Sequence, residues 1–97
     1  MKVRYRALAL ADIDGIQRYL EARSPNGATN VLQAIRASIR SIADRPYGSQ
    51  RTTDPDVRVR VVRPYRYKIF YSVIDDNTVE IMHVRHTSRR PWKGQAD

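Results

Sequence analysis

The sequence predicts an α+β fold in which a helical hairpin lies on one face of a mostly antiparallel, four-stranded sheet, in the order β-α-α-β-β-β. Three stretches carry this expectation. From Val57 to His86 β-branched and aromatic residues dominate in three runs, and Asp75-Asp76-Asn77 supplies turn chemistry between the last two. From Ala28 onward Val31, Leu32, Ile35, Ile39 and Ile42 recur at helical spacing, with Arg36 and Arg40 off the stripe. Near the N-terminus Val3, Tyr5 and Ala7 alternate with Arg4 and Arg6, which is the period of a strand.

Taken in order, the first strand covers Lys2 to Leu8 and joins the same sheet as the later three. Asp12 has N-cap chemistry, Asp14 suits the first turn of a helix, and Ile13, Ile16 and Leu20 follow at helical spacing, so a first helix is expected from Asp12 to Arg23. Ser24-Pro25-Asn26-Gly27 breaks it. The second helix starts at Ala28 and ends at Arg45-Pro46-Tyr47-Gly48, because proline removes the donor that would continue it. Two helices across so short a break form an antiparallel hairpin. Ser49 to Asp56 is polar and reads as an exposed loop.

In the strand after that loop, Val57, Val59 and Val61 share one face and Arg58 and Arg60 the other. The helical stripe is therefore expected to pack on Val57, Val59, Val61, Ile69 and Tyr71. The next strand places Tyr65, Tyr67, Ile69, Tyr71 and Val73 on one face, with Arg66, Lys68, Phe70, Ser72 and Ile74 on the other. Its far half is apolar on both sides, which predicts that the second face is covered there by the chain's own tail or by another protein.

The 97 residues are read as one domain, residues 1–97. There is no cysteine, so disulfide frameworks and thiolate metal sites are excluded, and His83 and His86 at odd spacing on one strand do not predict a paired metal site. No metal or cofactor is expected. No apolar run is long enough to span a membrane, and a cytoplasmic protein is expected. The formal net charge of +8 favours anionic partners: nucleic acid, ribosome or an acidic protein, beyond its service to solubility. A helix-turn-helix reader is disfavoured, because the second helix is committed to the core.

The order of elements, the strand Tyr65-Arg66-Tyr67-Lys68-Ile69-Phe70-Tyr71-Ser72-Val73, and the ending Val84-Arg85-His86-Thr87-Ser88-Arg89-Arg90-Pro91-Trp92 resemble the RelE/ParE superfamily of toxins from type II toxin-antitoxin modules. The match is closer to ParE-like, plasmid-stabilisation members, with their histidine followed by paired arginines. What the resemblance implies is a toxin neutralised by an acidic, ParD-like antitoxin in a hetero-oligomer. It also implies one of two targets: ParE-like members poison DNA gyrase, and RelE-like members cleave messenger RNA on the ribosome.

Cleavage at a 2′-hydroxyl needs a base, an acid and fixed positive charge at the phosphorane. RelE-like nucleases would call for basic residues near Lys68 and on the preceding strand, with a tyrosine near the C-terminus. Arg66 and Lys68, then Arg58 and Arg60, supply cations, but no tyrosine follows Tyr71. His86 resembles the histidine of YoeB-like nucleases without the tyrosine beside it. Glu80, the nearest acid, is six residues from His86 along a strand, roughly 20 Å at about 3.3 Å per residue. The expectation is therefore a gyrase inhibitor that acts by binding, with Arg58, Arg60, Arg66, Arg85, Arg89, Arg90 and Trp92 as target-contact residues. Lys68 and His86 are the catalytic candidates of the nuclease alternative. A structural role competes at each: His86 as a hydrogen-bonded strand end, Arg58 and Arg60 as a solvated face, Trp92 as a cap over Phe70 and Ile74.

Overall fold

A computed structural model describes residues 1–87. Strand β1 (Lys2–Tyr5) is followed by helices α1 (Ala7–Glu21) and α2 (Pro25–Asp44), then strands β2 (Gln50–Arg51), β3 (Arg58–Val62), β4 (Tyr67–Asp75) and β5 (Thr78–His86). The strands form one sheet in the order β1-β5-β4-β3-β2. β1 leaves one edge, the hairpin crosses the sheet, and the chain returns strand by strand until β5 lies parallel to β1 with Val3 opposite Val79. All other pairings are antiparallel. Among the described residues the sheet has five strands where four were expected: β2, two residues long, lies within the polar stretch read as a loop and pairs Gln50 with Val59. So short an element carries no periodicity.

α2 matches its stripe. Ala28, Val31, Ile35, Ile39 and Ile42 are buried, and Leu32 is partly exposed at the side of the stripe. The helix starts three residues earlier than expected because Ser24-Pro25 opens it rather than separating it. The Ser24 hydroxyl accepts from the Gly27 N–H at 3.1 Å and Pro25 fills the first turn. A Cβ at Gly27 would stand 3.1 Å from that hydroxyl, so the small residue lets the cap close.

α1 also begins earlier than expected. Arg6, extended at φ −71° and ψ 152°, is the N-cap and makes no side-chain cap bond. Asp12 lies inside the helix, where its carboxylate is turned to β5. Residues 7–11 carry Ala and Leu, strong helix formers, and these continue the helix back toward β1.

The core under the hairpin joins Ile16, Val31, Ile35, Ile39 and Ile42 to Val62, Tyr67, Ile69, Tyr71, Val79, Ile81 and Val84. The Tyr71 hydroxyl donates to the Pro46 carbonyl at 2.5 Å, tying β4 to the end of α2. β4 presents the face that alternation assigned. β3 does not: Val57, with Val59 packed beside it, clusters with Phe70 and Met82 in a separate apolar group, and Val62 is the β3 residue in the main core. Register agrees, since Arg60 stands opposite Ile69 and Val59 opposite Phe70. Alternation divides the residues of a strand into two faces without saying which one meets the helices. Arg60 can occupy the helix side because Ser41 of α2 and Ser49 supply acceptors there.

On the second face of β4 Phe70 clusters with Val57 and Met82, Ser72 donates to the Asp56 carbonyl at 2.7 Å, and Ile74 is exposed, while the tail expected as a cover lies outside the described residues. Two irregularities interrupt the β4–β5 register, between Phe70 and Tyr71 and between Val73 and Asp75. Asn77 donates its N–H to the Asp75 carboxylate at 2.8 Å, the turn expected from Asp75-Asp76-Asn77.

Candidate target-binding surface

The cations of the sheet fall into three groups among the described residues. Arg58 and Arg60 are tied down beneath the link from α2 to β2. Arg60 donates from Nε to Ser49 Oγ at 2.6 Å and from Nη1 to Ser41 Oγ at 2.7 Å. Arg58 donates from Nη1 to the Ser49 and Tyr47 carbonyls, at 3.0 and 3.3 Å, and its guanidinium stands 5.1 Å from the Tyr47 ring centroid. Planar guanidinium groups with several fixed donors suit this fastening of irregular backbone.

A second group, Arg4 and Arg6, was not singled out from sequence. Both converge on Glu80: Arg4 Nη2 donates at 3.0 Å and Arg6 Nε at 2.9 Å. The parallel register creates this pairing by placing Arg4 opposite Glu80. The hydrogen bond from Arg4 and then that from Arg6 hold the Glu80 carboxyl below the usual glutamate range, against the opposing effect of burial. A group depressed in the folded state stabilises fully above its unfolded pKa, near ~4.3, and loses that contribution as pH falls through the folded value. Between about pH 6 and pH 2.5 the parent should therefore lose thermal stability more steeply than Glu80→Gln. Parallel melting curves for the two would refute the coupling.

The third group gathers where β4 begins and β5 ends. Lys68 stands opposite Arg85, and Tyr67 opposite His86, whose rings meet edge to face at 5.1 Å between centroids. Arg66 is exposed in the turn before β4, and its carbonyl accepts from the Thr87 N–H at 2.8 Å. Arg66, Lys68, Arg85 and His86 are thus brought to one end of the sheet. Arg89, Arg90 and Trp92, which continue the chain from that end, lie outside the described residues.

β1 pairs with β5 only as far as Ile81, so beyond it the edge of β5 faces α1. Asp12 takes the place of a strand partner there: Oδ2 accepts the Val84 N–H at 3.0 Å and lies 3.2 Å from His83 Nδ1, and Oδ1 lies 4.0 Å from Arg85 Nη1. His83 is buried in this contact. Between α1, at Asp12, Gly15, Ile16 and Tyr19, and β5, at Val84, Arg85 and His86, is an open cleft of about 290 Å³. Sequence reasoning missed Asp12 because its cap chemistry explained it locally. A second groove of about 200 Å³ lies on the hairpin, lined by Tyr5, Leu10, Ile13, Leu32 and Arg36, and Leu8 and Leu10 are exposed near it.

Residues 3–91 match the family model described as the ParE toxin of the type II toxin-antitoxin system, parDE. The chain belongs to this family of toxins. A ParE-family fold agrees with the solved structures it resembles, all at identities that speak for the fold alone. A chain of the chromosomal ParDE system from P. aeruginosa superposes with a TM-score of 0.78 at 16% identity, covering 91% of this chain and 97% of that one. A chain of the intact E. coli RelBE toxin-antitoxin complex gives 0.67 at 18% identity over 91% and 98%, respectively. The isolated E. coli RelE toxin gives 0.66 at 17% identity over 92% and 86%. Among curated proteins no match was found. Membership in the family makes the chain a type II toxin-antitoxin toxin, and no helix among the described residues is long and apolar enough to cross a membrane.

Proposed function

We propose that this ParE-family toxin acts in the cytoplasm as one domain that inhibits DNA gyrase by binding it, with no catalytic step of its own. What supports this reading over a ribosome-dependent nuclease is the engagement of the groups that a nuclease would need. Glu80, the acid weighed against His86, is ion-paired with Arg4 and Arg6. Arg58 and Arg60, the candidate phosphate clamps of the preceding strand, spend their donors on Ser41, Ser49 and the Tyr47 carbonyl. No tyrosine follows Tyr71 to complete a histidine-tyrosine pair. The contact surface is then Arg66, Arg85 and the tail residues Arg89, Arg90 and Trp92, with an aromatic anchor flanked by charge.

The structures it resembles include toxin-antitoxin complexes, and an acidic, ParD-like antitoxin is the second proposed partner. The hairpin groove around Leu10, Ile13 and Leu32 offers burial to apolar anchors, and Arg36 on its rim offers charge to a carboxylate. Burial would set affinity and charge the rate of encounter.

The purified toxin, freed of antitoxin, is expected to inhibit gyrase supercoiling and leave messenger intact on programmed ribosomes. Arg89→Ala, Arg90→Ala and Trp92→Ala should each weaken inhibition through affinity, by about tenfold for a loss near 1.4 kcal/mol. Messenger cleavage that disappears in Lys68→Ala or His86→Ala, with gyrase unaffected, would replace this reading with the nuclease one.

A further inference from the structure

The link from α2 to β2 carries the most exposed aromatic ring among the described residues. Tyr47 is 65% exposed, and Arg58 fixes its position from one side: Nη1 donates to the Tyr47 carbonyl at 3.3 Å, and the guanidinium stands 5.1 Å from the ring centroid. The hydrogen bond uses a backbone carbonyl that any residue would supply and leaves the ring in solvent. Two residues earlier the chain borders an open depression of about 360 Å³, lined by Ala37, Arg40, Ser41, Asp44 and Arg45. The Gly48 N–H donates to the Arg45 carbonyl at 3.1 Å, and Arg60 joins Ser41 of the lining to Ser49 of the link, so the ring and the depression belong to one surface. Arg40 and Arg45 are exposed, and among the described residues no ion pair engages either guanidinium, although Asp44 shares the lining. This surface lies on the helix side of the sheet, apart from Arg66, Lys68 and Arg85.

We propose that this surface binds single-stranded nucleic acid. Arg40 and Arg45 donate to backbone phosphates, for which planar guanidinium groups suit bidentate contact. An unpaired base stacks on the face of the Tyr47 ring turned away from Arg58, and every base has a π-face to offer. The exposed ring selects the occupant. A duplex keeps its bases stacked on one another and leaves the ring without a partner, and an acidic peptide brings charge without a base. Binding alone is assigned to this surface, and no bond is made or broken in it. The proposal goes beyond the choice of gyrase as target and does not depend on it.

The test is fluorescence anisotropy of a labelled thymidine octanucleotide titrated with the full chain over a series of salt concentrations. A duplex of equal length and a glutamate peptide of equal charge are the competitors. The single strand should bind, and neither competitor should displace it at equal concentration. Tyr47→Leu should weaken binding about tenfold, a change of about 1.4 kcal/mol, and leave its salt dependence unchanged. Arg40→Gln and Arg45→Gln should each lower the slope of log affinity against log salt by roughly 0.7, the signature of one lost phosphate contact on a single strand. Asp44→Asn, which removes the acid from the lining, should strengthen binding by about twofold. All four side chains are exposed, so the variants should melt with the parent, which separates a lost contact from a damaged fold. Equal affinity in the parent, Tyr47→Leu and Arg40→Gln would overturn the proposal, as would displacement by the duplex or the peptide. Binding lost in Arg66→Gln and kept in Arg40→Gln would also overturn it, by moving the contact to the end of the sheet.

Discussion

Ile35→Asp is expected to abolish cooperative folding. Ile35 is 1% exposed at the middle of the α2 stripe, in the core cluster with Ile69, Tyr71 and Ile81. The substitution removes a large apolar side chain and places a carboxylate among groups that offer it no partner, so a loss on the order of 4 kcal/mol or more follows. A domain of this size has a total stability of roughly 5–15 kcal/mol, and the variant is left near or below the threshold. Circular dichroism melts check it. A sharp transition near the parent temperature would mean that the buried face of α2 has been wrongly placed. Leu32→Asp makes a contrast within the same helix, because Leu32 borders the open hairpin groove and its carboxylate would keep access to water. That variant should fold, and under the antitoxin proposal it should lose antitoxin affinity.

The contrast between these positions also marks what sequence could disclose. α2 was legible because a strip of apolar residues at helical spacing has one physical solution, burial of that strip. β4 was legible for the same reason at period two. β3 was not, because valines and arginines alternate along it and either set can face inward when acceptors are at hand. Those acceptors, Ser41, Ser49 and the Tyr47 carbonyl, come from elements distant in sequence, so the placement of Arg60 on the helix side depends on contacts that no local pattern encodes. The β5 irregularity opposite Phe70 and Tyr71 adds a further break, since it shifts the alternation before His83 and defeats any count of faces carried through it. The candidate site suffers most from this. Arg66, Lys68, Arg85 and His86 are brought to one end of the sheet, whereas Arg58 and Arg60 are hydrogen-bonded at the other side of β3 and Arg4 and Arg6 are paired with Glu80.

Asp12→Ala is expected to destabilise the protein by about 3 kcal/mol, through a polar edge and not through lost packing. Asp12 Oδ2 is the acceptor for the Val84 N–H, and Val84 is 2% exposed on a stretch of β5 that β1 does not reach. Alanine brings no acceptor, and a buried N–H deprived of its partner carries a desolvation penalty of about 1–3 kcal/mol, to which loss of the contact at His83 Nδ1 adds. For a domain of this length the melting temperature should fall by roughly 15 °C, at about 4–8 °C per kcal/mol. Asp12→Asn keeps an oxygen for the Val84 N–H and gives up only the charge facing His83 and Arg85, so its loss should be a fraction of the alanine value. Hydrogen exchange supplies the local readout: the Val84 amide should exchange faster in Asp12→Ala and near the parent rate in Asp12→Asn. If the alanine variant melted with the parent and its Val84 amide stayed protected, Asp12 would not be holding the edge of β5. The same carboxylate stands between α1 and the two residues, Arg85 and His86, from which the chain leaves the sheet. Destabilisation of this edge should therefore weaken target inhibition in Asp12→Ala more than Asp12→Asn, even at temperatures where both variants remain folded.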